Sequence, residues 1–261
     1  MAVLPGERAG LRLAVGALER RPSALFADID GTLAPIVEIP QNAVVLPEAR
    51  AALAALVPKV DLVCLLSGRP ADEAWRMVRV DDALYVGNHG VETWLRGELL
   101  RPAGIERHHA RIARANAMLR QTLANVPGLV FEDKGIGFAI HYRREPRVAD
   151  AVIDAARRIA GRRGLDVHVR SSHVEIRAPV PGDKGGALRS LAERHALRGL
   201  VVVGDDPVDV PAFRAARAYA DERDATAVRV TVGETVEAGE IALSDPSEVA
   251  AFLGALADAL P

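Results

Sequence analysis

Two carboxylates stand one residue apart at the end of a short apolar run in residues 24–36, ALFADIDGTLAPI. Asp28 and Asp30 repel each other at this spacing, and each ion loses solvation near a core at a cost of several kcal/mol. Side chains two residues apart on an extended backbone point to the same side. The pair can therefore flank one reacting atom, with one carboxylate as nucleophile and the other as proton carrier.

Further polar groups follow other apolar runs. Ser67, Gly68 and Arg69 come after DLVCLL, GNHG occupies residues 87–90 after ALYV, and Asp205 and Asp206 come after GLVVVG. Lys184 opens the helical pattern that precedes this last run. Ligands of open parallel sheets bind at the carboxyl ends of the strands. We therefore expect these groups to converge on one edge of a sheet.

The residue types at that edge are those of phosphoryl transfer. Three carboxylates would repel an anionic substrate unless a divalent cation is present, and oxygen ligands without a His or Cys cluster favour Mg²⁺. Gly31 and Thr32 offer backbone N–H groups and a hydroxyl to an anion, and Ser67 offers a hydroxyl beside a helix N-terminus. Lys184 adds a point charge. Together these residues predict a phosphoryl-transfer site with a carboxylate nucleophile.

Composition narrows the class of protein. The 261 residues are 49% apolar and 26% charged with a net charge of −2, which is typical of a soluble globular chain and gives no electrostatic case for nucleic acid or an anionic membrane. No apolar stretch approaches the roughly 18 residues of a membrane span, and charged residues interrupt residues 1–21, which argues against a secretory signal. The single Cys64 cannot form an internal disulfide. We expect a cytoplasmic protein with a buried, inert thiol.

Apolar strands alternate with amphipathic helices in residues 21–100 and again after residue 180. Continuous apolar strands between helices predict a parallel sheet covered on both faces. The expected fold class is α/β, with a Rossmann-like doubly wound core formed by residues 1–100 and 180–261.

The middle of the chain has a different pattern. LVFEDKGIGFAIHYR predicts two strands joined at Gly135–Gly137, and DVHVRSSHVEIRAPV predicts a second pair turning at Ser171 and Ser172, with a helix before each pair. Paired strands with short turns are antiparallel. Residues 101–179 are therefore expected to form an inserted α/β cap domain with an antiparallel sheet, bounded by Pro102 and by the prolines near residue 180.

The motifs DIDGTL, SGR, DKGGAL and GDDPVD, in this order, resemble the four motifs of the haloacid dehalogenase superfamily of phosphatases. Within it, the chain is similar to the trehalose-6-phosphate phosphatase family, through these motifs together with GNHG, EDKGIGFAIHYR and VEIRAP. The resemblance covers about residues 21–255. It implies Mg²⁺-dependent hydrolysis of trehalose 6-phosphate, the last step of trehalose biosynthesis, through an aspartyl-phosphate.

The resemblance also implies catalytic, metal-binding and substrate-binding roles for individual residues. Asp28 would be the nucleophile and a metal ligand, Asp30 the acid and base and, through its carbonyl, a second ligand, and Asp205 the third, with Asp206 and Asp209 as further candidates. Ser67 and Lys184 would hold the phosphoryl group. The expected substrate-binding residues are Gly31, Thr32, Gly68, Arg69, Asn88 and His89 in the core and Glu132, Lys134, Arg143 and Glu175 in the cap. The family usually has a more acidic loop after the metal motif, where this chain has Val208, Val210 and Pro211.

Alternatives stay open at this point. Glu132, Lys134 and Glu175 could be the solvated side of an antiparallel sheet, Arg143 a solvated cation, His89 a loop residue without a chemical role, and Asp209 a structural helix cap. The substrate could be sucrose 6-phosphate or a glucosyl- or mannosyl-glycerate phosphate. A catalytically idle sensor, or a partner of a trehalose-phosphate synthase, is the alternative of another class. The sequence does not give the oligomeric state.

Overall fold

The computed structural model describes residues 5–233, 237 and 239–261. It divides into two compact units. The first contains Met1–Ile36, Ala43–Leu100 and Gly182–Pro261, and the second contains Val37–Asn42 and Arg101–Pro181. The chain crosses between the units beside Pro102 and Pro181, the prolines noted in the sequence. Residues 37–42 group with the second unit although they precede it by nearly sixty residues.

An eight-stranded sheet forms the centre of the first unit. Its strands are β1 (Ser23–Ala27), β2 (Leu62–Leu66), β3 (Leu84–Gly87), β4 (Glu92–Leu95), β5 (Glu98–Leu100), β10 (Gly199–Gly204), β11 (Thr226–Val232) and β12 (Ile241–Leu243). They lie in the order β12-β11-β10-β1-β2-β3-β4-β5. The pairs from β12 to β3 are parallel, while β3–β4 and β4–β5 are antiparallel. The parallel core is confirmed, and the antiparallel edge hairpin is an addition to it.

Helices cover both faces of this sheet. They are α1 (Pro5–Leu18), α2 (Pro47–Leu56), α3 (Ala71–Val78), α6 (Lys184–Arg194), α7 (Val210–Glu222) and α8 (Pro246–Ala259). Alternate residues of each strand belong to opposite apolar clusters: Leu25 packs with α1, α2, α3 and α8, and Phe26 packs with α6 and α7. Strands buried on both faces explain the continuous apolar runs in the sequence. Cys64 is fully buried, and burial raises the pKa of its thiol.

The strand order reverses at β1. From β1 the chain moves through β2 and β3 towards one edge, while β10 pairs with the other side of β1 and leads to β11. Ligands of open α/β sheets bind at such a reversal, outside the carboxyl ends of the strands. Asp28 directly follows β1 and Asp205 directly follows β10, so both lie at this reversal.

The second unit has its own four-stranded antiparallel sheet, as predicted. Its strands are β6 (Val130–Asp133), β7 (Gly137–His141), β8 (Asp166–Val169) and β9 (His173–Arg177), in the order β6-β7-β9-β8. The helices α4 (His109–Thr122) and α5 (Ala149–Gly161) pack on its apolar face, where Phe138, Ile140, Val174 and Ile176 are buried. Residues at even and odd positions face opposite sides of a strand. The other face therefore carries Glu132, His141, His173, Glu175 and Arg177.

No helix among the described residues is both long and apolar enough to cross a membrane.

Candidate active site

Asp28 and Lys184 form the centre of the site. Asp28 extends β1 by one residue, because its N–H donates to the carbonyl oxygen of Val203 at 3.0 Å. Lys184 Nζ donates to Asp28 Oδ1 and to Asp209 Oδ1, both at 2.7 Å. The side chains of all three are at most 7% exposed. One buried ammonium group therefore joins two buried carboxylates that are 181 residues apart in the chain.

The protonation of this centre is set by burial and crowding. Burial raises the pKa of Asp28, and the negative charges of Asp209 and Asp205 raise it further, against the opposing effect of Lys184. Burial and the charge of Asp209 raise the pKa of Asp205 to about 7. Burial alone would lower the pKa of Lys184, but the charges of Asp209 and Asp28 outweigh it and raise the pKa. The site has more negative charge than its single lysine neutralises.

Asp205 lies against the turn that follows β1. Thr32 Oγ1 donates to Asp205 Oδ1 at 3.0 Å. Gly31 has φ +86°, and a Cβ on it would stand 1.9 Å from Asp205 Oδ2. The glycine of the DGT motif is thus required both by its left-handed backbone and by the close approach of the carboxylate.

The loop after β10 is organised by its own carboxylates. Asp206 accepts from the N–H of Val208 at 2.9 Å and caps a short turn, while Asp209 Oδ2 accepts from the N–H groups of Asp205 at 3.1 Å and of Asp206 at 3.2 Å. Asp209 therefore does cap this turn, but it also holds Lys184. A structural role and a role in the site are combined in one residue.

Gly185 lies against the start of the helix that follows this loop. Pro211 lies in the first turn of α7, and a Cβ on Gly185 would stand 2.5 Å from the Pro211 carbonyl oxygen. The glycine of DKGG thus lets α6 and α7 approach closely where Lys184 enters the site.

Asp28, Asp205 and Asp209 fit a hard divalent cation. Each offers a carboxylate oxygen, and these atoms all lie within 4.8 Å of one another. The ligands are oxygen atoms alone, and the excess negative charge described above is what a cation would offset. Asp206 is not a member of this group. The expectation that Asp30 contributes its backbone carbonyl stays a prediction.

Asp30 is held by Arg69. The guanidinium donates through Nε and Nη2 to the two oxygens of Asp30, both at 2.7 Å, and through Nη1 to Glu73 at 2.6 Å. Arg69 is 4% exposed, and these bonds raise its pKa although burial disfavours its charge. This bidentate geometry fixes the distance and the orientation of the Asp30 carboxylate relative to the Arg69 guanidinium group. In this structure Arg69 binds the acid/base candidate, whereas the sequence analysis assigned it to the substrate.

Ser67 lies at the end of β2 and is almost fully buried. Its Oγ accepts from the N–H of Arg69 at 3.1 Å. The ring of His89 packs on Gly68, where a Cβ would stand 2.7 Å from the ring. Asn88 Nδ2 donates to Glu92 at 2.8 Å. Asn88 and His89 both have positive φ, 48° and 58°, which marks a tight turn at the end of β3.

Three of the four predicted cap residues lie together on the polar face of the second sheet. Lys134 Nζ donates to Glu175 Oε1 at 3.0 Å, and Glu132 Oε2 lies 2.7 Å from His141 Nε2. Glu132, Lys134 and Glu175 are at most 7% exposed, so the alternative of a solvated face is wrong. Arg143 lies apart from them: it is exposed and bonds Ser172 Oγ at 3.1 Å and the Val37 carbonyl at 3.4 Å.

Several neighbours were missed by the sequence analysis. Glu73, in the first turn of α3, accepts from Arg69, and Glu92 accepts from Asn88. In the second sheet, His141 and His173 lie with ring centres 5.0 Å apart beside the Glu132–Lys134–Glu175 row. An available signal was the period-2 spacing of His173, Glu175 and Arg177, which places all three on one face.

Solved structures match this architecture. The chain superimposes on the C-terminal domain of a trehalose-6-phosphate phosphatase from C. albicans with a TM-score of 0.79 and 19% identity, over 95% of this chain and 96% of that one. It superimposes on a haloacid dehalogenase-like hydrolase from Bacteroides thetaiotaomicron with a TM-score of 0.62 and 14% identity, over 89% and 98% of the two chains. At these identities the likeness gives the fold, which is that of a haloacid dehalogenase-like hydrolase with a cap domain.

The sequence comparison narrows this class. A family model described as trehalose-phosphatase matches residues 26–247. The trehalose-phosphate phosphatase of Mycolicibacterium paratuberculosis is 34% identical over 276 residues, covering 100% of this chain and 68% of the relative, and that of Mycobacterium marinum is 34% identical over 278 residues, covering 100% and 67%. The chain belongs to the trehalose-phosphatase family.

Proposed function

We propose that this protein is a Mg²⁺-dependent phosphatase that hydrolyses trehalose 6-phosphate to trehalose and phosphate. The observation that carries the proposal is the buried Asp28–Lys184–Asp209 centre beside Asp205, at the strand-order reversal of a chain in the trehalose-phosphatase family. Burying a carboxylate cluster is costly. A protein that only binds a sugar phosphate has no need of such a carboxylate cluster.

In the first step, Asp28 would attack the phosphorus atom. A bond forms between a carboxylate oxygen of Asp28 and phosphorus, and the bond from phosphorus to O6 of the sugar breaks. Asp30 would supply the proton that O6 takes up. Both oxygens of Asp30 accept from Arg69 here, so we expect Asp30 to exchange one of these bonds for the substrate oxygen during turnover.

In the second step, Asp30 would take a proton from a water molecule that attacks the aspartyl-phosphate. The bond between Asp28 and phosphorus breaks, inorganic phosphate forms, and both carboxylates return to their starting state. Lys184 would hold the transferring group from one side, since its ammonium lies 2.7 Å from Asp28 Oδ1, and Ser67 would contribute its hydroxyl. Gly31, Thr32, Gly68, Asn88 and His89 complete the proposed lining.

Asp28 and Asp205 would hold the metal, with Asp209 beside them. Each of the first two keeps a carboxylate oxygen for which the described residues provide no hydrogen-bond donor. When bound, Mg²⁺ supplies neutralisation of the charge that the phosphoryl oxygens carry in the transition state.

Sugar recognition would belong to the polar face of the second unit. Glu132, Lys134 and Glu175 are charged, buried and held by partners in fixed orientations. Groups of this kind discriminate among hydroxylated ligands, because a ligand that lacks a matching hydroxyl leaves them unpaired. The fourth candidate for sugar recognition is Arg143, which is exposed and follows β7 in the chain.

Two alternatives remain to be tested. One is another sugar phosphate, such as sucrose 6-phosphate or a glucosyl- or mannosyl-glycerate phosphate. The other is a catalytically idle sensor: the chain also superimposes, with a TM-score of 0.64 and 12% identity, on the C-terminal domain of a Candida albicans trehalose synthase regulatory protein. A cytoplasmic location and association with a trehalose-phosphate synthase form part of the same proposal. The unpaired, buried Cys64 fits a reducing compartment.

The test is phosphate release from a panel of sugar phosphates with Mg²⁺ or with EDTA. We expect trehalose 6-phosphate to have the highest kcat/KM, EDTA to abolish turnover, and added Mg²⁺ to restore it. Asp28→Asn should remove essentially all activity, and Asp206→Asn, which changes the neighbouring capping carboxylate, should retain most of it. Preference for another sugar phosphate would reassign the substrate, and an inactive protein that binds trehalose 6-phosphate would support the sensor.

A further inference from the structure

Five arginines line a groove on the helical side of the second unit. The groove has a volume of about 540 Å³ and runs between α4 and α5. Its lining residues are Arg111, Arg114, Met118, Thr122, Arg158, Ile159, Arg162 and Arg163. The groove is large enough for an organic ligand of ordinary size. None of the residues that line it belongs to the candidate active site or to the polar face of the second sheet.

Among the described residues, no ion pair neutralises the positive charge of this groove. In the part of the chain that the structure describes, none of the five guanidinium groups forms an ion pair with a carboxylate. Helix α4 itself contains no acidic residue. Like charges gathered in one groove repel each other, and an anion that enters it would relieve that repulsion. The groove is therefore electrostatically complementary to a multivalent anion.

Two of the guanidinium groups are held in place. Arg111 donates to His108 Nδ1 and, at 3.3 Å, to the carbonyl oxygen of Arg163. Arg163 donates to the carbonyl oxygen of Ile159 at 2.8 Å and contacts the sulfur of Met118. Burial and the charge of Arg111 lower the pKa of His108, which keeps this ring available as an acceptor. Arginines fixed in this way lose less freedom when they bind an anion.

We propose that the groove between α4 and α5 binds a small anion that carries two or more phosphate groups. Guanidinium groups bind phosphate oxygens through pairs of parallel hydrogen bonds. Five guanidinium groups carry more positive charge than one phosphate group, at about −2, neutralises, so a single phosphate would leave most of the charge unpaired. Ile159, which is buried, and Met118, which is 40% exposed, also line the groove and give it an apolar surface beside the charges. Inorganic pyrophosphate and a nucleoside triphosphate both present this chemistry.

The test is calorimetric titration of the full chain with pyrophosphate, ATP and adenosine, at low ionic strength and with EDTA. We expect pyrophosphate and ATP to bind, adenosine not to bind, and affinity to fall as salt is added. Arg158→Gln and, on the other helix, Arg114→Gln should each weaken binding by about 10-fold or more, as the loss of a charge-assisted hydrogen bond implies. Tighter binding of ATP than of pyrophosphate would identify a nucleotide, and equal binding an inorganic polyphosphate.

Arg157→Gln is the matched control. It removes the same charge from the adjacent, exposed position of α5, which does not line the groove. Circular dichroism of each variant checks that the fold is kept, and Arg114→Gln serves if Arg158→Gln misfolds. Equal weakening by Arg157→Gln and Arg158→Gln would overturn the proposal, as would the absence of pyrophosphate and ATP binding. Binding of an RNA oligonucleotide without pyrophosphate binding would overturn it in favour of a nucleic-acid surface.

Discussion

Arg69 shows how much of the chemistry depends on a residue that need not touch the substrate. Its guanidinium group binds both oxygens of Asp30, and Glu73, in the first turn of α3, holds the same guanidinium group. Lysine carries the same charge but cannot bind a carboxylate in this bidentate way. At the scale of single residues, Arg69 is therefore a positioning residue for the proposed acid and base.

We predict that Arg69→Lys lowers kcat for an activated aryl phosphate by about 10- to 100-fold, because one or two charge-assisted bonds to Asp30 are lost. Asp30→Asn should lower it by about 10²- to 10⁴-fold. Steady-state kinetics of the single and double variants measure the coupling. If Arg69 acts through Asp30, Arg69→Lys has little further effect in the Asp30→Asn background; a full, additive loss there would contradict the positioning role. The control is Arg76→Lys, which alters an exposed ion pair on α3, the helix that carries Glu73.

At the scale of elements, the two faces of the second sheet differ in chemistry. The apolar face packs on α4 and α5, and the opposite face carries a row of buried charges and two histidines. Burying charges costs free energy of folding unless they are paired. The cost is offset here by the Lys134–Glu175 and Glu132–His141 pairs. We interpret the charged face as the one that would recognise the sugar, as proposed above.

Neutralising this row should affect substrates selectively. We expect Glu132→Gln or Glu175→Gln to lower kcat/KM for trehalose 6-phosphate by about 10- to 100-fold, since each removes a charge-assisted hydrogen bond. Slow hydrolysis of a small aryl phosphate, which has no sugar hydroxyls, should barely change. Parallel kinetics on both substrates make the comparison, with Asp154→Asn on α5 as control. Equal losses on both substrates would mean that the row supports the fold alone.

His173, beside this row, makes the stability of the folded chain decrease in acid. Burial, and then the charges of His141 and Lys134, lower the pKa of His173 to about 3. The unfolded chain binds this proton below about pH 6.5, whereas the folded chain does not until about pH 3. The stability that depends on neutral His173 is therefore complete above pH 6.5 and decreases as the pH falls from 6.5 towards 3.

Urea unfolding at pH 7 and pH 5 measures this effect. Between these two values, His173→Gln should lose about 2 kcal/mol less unfolding free energy than the unaltered chain, because about 1.5 pH units separate pH 5 from the unfolded-state pKa. His109→Gln, at an exposed position of the same unit, should keep the full acid dependence. An unchanged slope in His173→Gln would show that another group is responsible.

At the scale of the whole molecule, the sequence predicted the elements with strong, repeated patterns. The parallel strands, the four cap strands and the helix that begins near Asp245 are confirmed, and Asp245 caps that helix through the N–H groups of Ser247 and Glu248. These elements have long apolar runs, capping residues or glycine turns that act locally. Convergence of the polar groups followed from the topology of parallel sheets.

The features that the sequence analysis missed have weak local signals in the sequence. Helix α1 buries mainly Ala14, Ala17 and Leu18, so its apolar face is small. The β4–β5 hairpin turns at Arg96 and Gly97, both with positive φ, where Asn-Gly or Asp-Gly would have indicated the turn. The bidentate Asp30–Arg69 pair depends on side-chain conformations across 39 residues, which no pattern along the chain encodes.

The position of β1 in the sheet has a consequence for how the chain is made. Its two neighbours are β2, which follows it closely, and β10, whose Gly199 pairs with Ser23. During synthesis one edge of β1 stays unpaired until Gly199, 176 residues after Ser23, has been added, and unpaired strand edges are prone to aggregate. The second unit lies almost entirely within Arg101–Pro181 and has its sheet partners close in sequence. We therefore expect the nascent chain to complete its second unit before β1 pairs with β10.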